Sequence, residues 1–147
     1  TFGVDPISRR DLWLIIHEMV AQGVTVVTST AYMDEAERFD RLAFLHEGAL
    51  LSIGTPDELR QRIEGQILAV EVDRPRKVQE LLRREPKVLR AASFGDAIHV
   101  TVGSAAEDRT AVERALRDAG IEVSAIRAVE PSLEDVFIEV IDRADGA

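Results

Sequence analysis

Hydrophobic and polar positions divide this chain into short periodic stretches separated by glycine, proline and acidic turns. Leu12, Ile15, Ile16 and Met19 recur at helical spacing. Asp5 and Pro6 suit the N-cap and first position of that helix, and Gly23 suits its stop. Val24, Val26 and Val27 follow as an apolar run without alternation, which predicts a strand covered on both faces in a parallel sheet. It leads into a polar loop, Thr28 to Tyr32, and a short helix crowded with Asp34, Glu35 and Glu37. Arg41 to His46 and Ala49 to Ile53 read as strands turned at Glu47-Gly48. Thr55 and Glu58 form a capping box with Pro56 in the first turn, opening a helix to about Ile63.

The pattern restarts after Gly65, and a joint is expected between Ile63 and Gln66. A strand from Gln66 to Asp73 precedes a helix carrying Val78, Leu81 and Leu82. Strands over Val88 to Ser93 and Ala97 to Val102 follow, turned at Gly95-Asp96. A helix with Val112, Ala115, Leu116 and Ala119 stops at Gly120, and a last strand covers Ile121 to Ala128. The order βαββαβ is that of a ferredoxin-like unit, four antiparallel strands with helices on one face. Ser132 to Asp135 caps a final helix, whose Leu133, Val136, Phe137, Val140 and Ile141 make one apolar stripe. Such a stripe is core or interface, and docking onto a neighbouring domain is the favoured expectation.

Composition narrows the functional classes. The 147 residues suffice for one ordinary domain or two small ones. The net charge of −9 is shared, six basic against eleven acidic residues through Glu64 and twelve against sixteen beyond it. Neither part offers the basic surface that a phosphate backbone needs, so nucleic acid is not an expected partner. The absence of cysteine excludes disulfides and thiolate metal sites. No apolar run reaches the roughly 18 residues that span a bilayer, so membrane association is expected through a partner and not by direct insertion.

Candidate chemistry is sparse. His17-Glu18 begins like the zinc motif HExxH, but Ala21 occupies the second ligand position. His46 beside a turn and His99 on an alternating strand read as structural. Asp34, Glu35 and Glu37 favour the positive end of a helix dipole, with a magnesium site as the sharper alternative. No Ser/His/Asp set is suggested by order or spacing. No GxxxxGK[ST] occurs, so the backbone cradle for nucleotide phosphates is missing.

Two ordered strings carry a resemblance: GVDPISRRDLW, and AYMDEAERFDRLAFLHEGALLSIGTPDELR downstream of it. They are similar to the C-terminal half of ABC transporter ATPases, above all the ATP-binding subunits of drug-efflux exporters. The similarity is close over residues 1 to about 62 and looser to about Ile141, ending in PSLEDVF. The resemblance implies an α/β chain in two parts. Residues 1–64 would be the C-terminal part of a P-loop-type ABC ATPase core, and residues 65–147 a ferredoxin-like accessory domain with a C-terminal helix.

Gly3, Val4, Asp5 and Pro6 match the family's D-loop, which lies at a dimer interface near the partner's nucleotide. Thr28 to Glu37 match its switch region. Ala31 stands where the family places a switch histidine that contacts the γ-phosphate and orients the attacking water. The Walker B strand and the signature motif are absent, and Thr1 opens the chain without a methionine. A fragment is therefore expected, inactive alone, from a parent that uses ATP and magnesium. Implied partners are a second ATP-binding subunit and a transmembrane permease, with the subunit cytoplasmic and peripheral at the inner face of the cell membrane. Two other readings stay open: a non-catalytic regulatory or dimerisation module, and a degenerate subunit that binds ATP but hydrolyses it slowly.

Overall fold

The computed structural model describes residues 3–73 and 75–146, and the chain divides into two compact units between Phe39 and Asp40. Thr1 lies outside the described residues. The first unit is built on helix α1 (Pro6–Ala21) and the single-turn helix α2 (Met33–Ala36). Asp5 caps α1, and Gly23 ends it at a φ of 86°. Gly23 N–H donates to Val20 and Val24 N–H to Met19, the paired bonds that satisfy the last carbonyls of a helix. Trp13 is the buried residue of α1, while Leu12, Ile15 and Met19 are exposed.

The strand expected at Val24 to Val27 does not form. Residues 24–30 run without a strand ladder, and Val27 is 90% exposed. A strand covered on both faces exists only between paired neighbours, and no described strand pairs with this segment. The parallel sheet of a P-loop core is accordingly not present among the described residues, where both sheets are antiparallel.

The second unit begins with a hairpin, β1 (Leu42–His46) and β2 (Ala49–Gly54). Glu47 and Gly48 take φ values of 48° and 81°, the double left-handed turn whose twist suits a two-residue hairpin loop. Leu42 and Phe44 face inward. Helix α3 (Pro56–Arg60) carries the expected capping box and buries Leu59 completely.

Strands β3 (Gln66–Glu71), β4 (Val88–Phe94), β5 (Ala97–Val102) and β6 (Ala125–Val129) form one sheet in the order β4-β5-β3-β6. Every pairing is antiparallel. The last strand is shorter than expected, with Ile121 and Val123 packing on the core from outside the ladder. Strand alternation sends Leu68, Val70, Ile98 and Val100 to one face, where they meet α4 (Pro75–Leu82) and α5 (Ala105–Asp118) through Leu82, Val112 and Leu116. Each such side chain contributes about 1.5–3 kcal/mol, against about 1 kcal/mol for a helix cap. This core therefore dominates the unit's stability.

Ile67, His99, Thr101 and Arg90 lie on the opposite face by register. Helix α6 (Leu133–Asp145) is tied to that face, with Asp135 at His99 and Glu139 at Arg90. Its apolar stripe also meets α3 and β2, and Phe137 packs 5.1 Å from Phe44 between ring centroids. Among the described residues, no helix is long and apolar enough to cross a membrane.

Candidate functional site

The residues singled out by sequence lie at the two ends of the first unit. Gly3 adopts a φ of 78°, so the chain enters α1 through a left-handed turn that favours glycine. Asp5 Oδ1 accepts the amides of Ile7 at 3.0 Å and Ser8 at 3.1 Å, and Pro6 occupies the first helical turn. Hydrogen bonds from Ser8, the side chain first, outweigh the small opposing effect of burial and hold the Asp5 carboxyl below its ordinary value. The carboxylate is exposed and works as a cap.

Ala31 is exposed in a bend between Thr30 and Tyr32, and its methyl group can neither donate nor accept a hydrogen bond. The residues around it are held by Glu35, which is 2% exposed. Thr30 Oγ1 donates to Glu35 Oε2 at 2.6 Å and accepts the Tyr32 amide at 3.0 Å. The other carboxylate oxygen receives a long hydrogen bond from Trp13 Nε1 at 3.4 Å and lies 3.7 Å from Arg9 Nε. Arg9 also stacks over the Tyr32 ring at 4.7 Å and reaches the Val4 carbonyl at 3.4 Å. A buried carboxylate requires such pairing, because an unpaired charge out of water is strongly unfavourable.

The sequence pattern does not mark this hub: Glu35 stands out there only as one of three acidic residues, and Arg9 and Trp13 do not stand out at all. One signal was available: Arg9 and Trp13 are four residues apart and share a helix face. The acidic trio does not converge, since Glu35 turns inward while Asp34 and Glu37 are exposed. Among the described residues no group of three histidine, cysteine or carboxylate side chains is placed to hold a metal ion.

A spatial Ser/His/Asp cluster does occur in the second unit, with the wrong wiring for nucleophilic catalysis. Ser132 Oγ donates to Asp135 Oδ2 at 2.6 Å, and Asp135 Oδ1 meets His99 Nδ1 at 2.7 Å. The hydroxyl is thus bonded to the acid and not to the imidazole that would have to take its proton. Its neighbours explain it as a helix cap. His46 Nε2 lies 3.6 Å from Asp145 Oδ1 beside the hairpin. Among the residues singled out, the Thr30 hydroxyl is bonded to Glu35, Asp5 caps its own helix, and position 31 offers a methyl group.

Comparisons with known proteins cover both units. The family model described as "ATP-binding protein DrrA1-3-like, C-terminal domain" matches residues 54–141. The chain is 31% identical over 145 residues to the daunorubicin resistance ATP-binding protein DrrA2 of Streptomyces coeruleorubidus, covering 95% of this chain and 45% of that protein. It is 33% identical over 147 residues to the Nod factor export ATP-binding protein I of Rhizobium sp. (strain N33), covering 97% and 45%. A 60-residue stretch is 52% identical to the probable multidrug ABC transporter ATP-binding protein YbhF of Escherichia coli (strain K12), covering 41% and 10%. The chain spans less than half the length of these curated relatives. With 88 of its 147 residues inside the family model, the chain belongs to the DrrA1-3-like C-terminal domain family of ABC transporter ATP-binding proteins.

Proposed function

We propose that this chain is the C-terminal part of the ATP-binding subunit of a drug-efflux-type ABC exporter, whose parent couples hydrolysis of magnesium-bound ATP to transport through a membrane permease. The observation that carries the proposal is the alignment of 95% of the chain with an ATP-binding protein named for daunorubicin resistance. Residues 1–64 would close the nucleotide-binding domain, with Gly3 to Pro6 as the D-loop facing a second ATP-binding subunit. Ala31 would hold the position of the switch histidine. The subunit would sit at the inner face of the cell membrane through its permease.

Residues 65–147 would form a ferredoxin-like accessory domain. The strand order β4-β5-β3-β6, antiparallel throughout with α4 and α5 on one face, supports that assignment. Gly65, at a φ of 98°, supports a junction there.

Expressing the complete reading frame that contains this chain, together with its permease, and measuring ATP turnover tests the proposal. The expected result is turnover by the complete assembly and no heat of binding when MgATP is titrated into residues 1–147 alone. A complete frame without a GxxxxGK[ST] motif, or a micromolar dissociation constant for this chain alone, would overturn it.

A further inference from the structure

We propose that Glu35 is a positioning residue that fixes the loop around position 31 relative to the segment entering α1; the catalytic side of this inference rests on the function proposed above. Its two carboxylate oxygens face different ways. One takes the Thr30 hydroxyl at 2.6 Å, and Thr30 in turn holds the Tyr32 amide at 3.0 Å. Both neighbours of Ala31 are therefore set from Glu35 while Ala31 itself stays exposed. The other oxygen lies 3.7 Å from Arg9 Nε, and another nitrogen of Arg9 reaches the Val4 carbonyl at 3.4 Å.

A continuous chain of contacts thus runs from Val4 through Arg9, Glu35 and Thr30 to Tyr32. Its central charge is buried, so its geometry is set by partners and not by water. Tight support of this kind keeps a reacting group placed, because a displacement of about 1 Å costs about a hundredfold in rate. A carboxylate that only stabilised the fold would lower activity by the same factor whatever side chain stood at position 31. A positioning carboxylate would matter most when a donor stands there.

Two measurements test this. In the isotopically labelled chain, Arg9→Ala should shift the amide resonances of Thr30 and Ala31, and Glu35→Gln should shift that of Asp5. Unmoved amides in both variants would overturn the linkage, whatever the protein's activity. In the full-length subunit, the gain in kcat from Ala31→His should fall at least about tenfold when Glu35→Gln is also present, with KM for MgATP changed less than about twofold. An equal gain in both backgrounds would overturn the positioning role. Thr30→Val, which removes only the hydroxyl, should give the same loss and covers the case in which Glu35→Gln fails to fold. If Ala31→His gives no gain in the unaltered subunit, the role assigned to position 31 falls and the positioning claim with it, while the amide shifts still decide the linkage.

Discussion

His99 Nδ1 lies 2.7 Å from Asp135 Oδ1, and the two side chains are 19% and 6% exposed. The other oxygen of the same carboxylate accepts the amide and hydroxyl of Ser132 at 2.9 and 2.6 Å. Phe94 stacks on the His99 ring at 4.2 Å. One carboxylate therefore caps α6 and anchors it to the middle of the sheet.

That double role has a pH signature. Burial alone would raise the Asp135 carboxyl, but the hydrogen bonds from His99 and Ser132 outweigh it and hold it below the ordinary 3.8. A carboxylate depressed on folding stabilises fully above its unfolded value, and loses that contribution as pH falls through the folded one. Asp135→Asn is expected to cost about 1–3 kcal/mol at pH 7. The gap between the two proteins should shrink below pH 3.8. Arg90, Glu139 and Asp142 share this face but are common to both proteins. Urea unfolding at pH 7 and in acid checks it, and a gap independent of pH would contradict it.

Gly65 has a different sensitivity. At a φ of 98°, a Cβ there would sit 2.2 Å from the Val102 carbonyl oxygen. Gly65→Ala meets both left-handed strain and a backbone clash at the start of the sheet, so a loss of about 1–3 kcal/mol is expected. Gly48 has a φ of 81° with open space around it, so Gly48→Ala should cost less. Thermal midpoints of the two variants compare them directly.

Limited proteolysis should cut first between residues 24 and 41. Residues 24–30 have no ladder and Val27 is 90% exposed, whereas Leu42 and Phe44 are buried at the start of the hairpin. The expected resistant core therefore begins near Asp40 and keeps the hairpin together with the sheet that follows Gly65. A core starting at Gln66 would mean that the Phe44–Phe137 contact does not hold the hairpin in place.

On the function proposed above, Ala31→His in the full-length subunit should raise ATP turnover about a hundred- to thousand-fold. The added donor would act on charge that develops only in the transition state, so the affinity for MgATP should change little. The catalytic constant of the purified dimer at saturating MgATP reads this effect. An unchanged constant, or a gain confined to affinity, would refute the assignment of position 31.

What the sequence determined by itself is what neighbouring residues decide among themselves. Asp5-Pro6, Thr55 with Glu58, Ser132 with Asp135 and Glu47-Gly48 are each satisfied within a few residues, and the caps and the hairpin turn formed as expected. Alternation along β3 and β5 likewise placed Leu68, Val70, Ile98 and Val100 on one face. Tertiary structure decided the rest, because the partners lie far away in sequence. Val24 to Val27 had the composition of a buried strand, but a strand exists only by pairing, and no described strand pairs with it. Glu35 became a hub through Trp13, 22 residues away, and His99 found Asp135 at a separation of 36. Burial gives those contacts their strength, and burial depends on how the elements assemble.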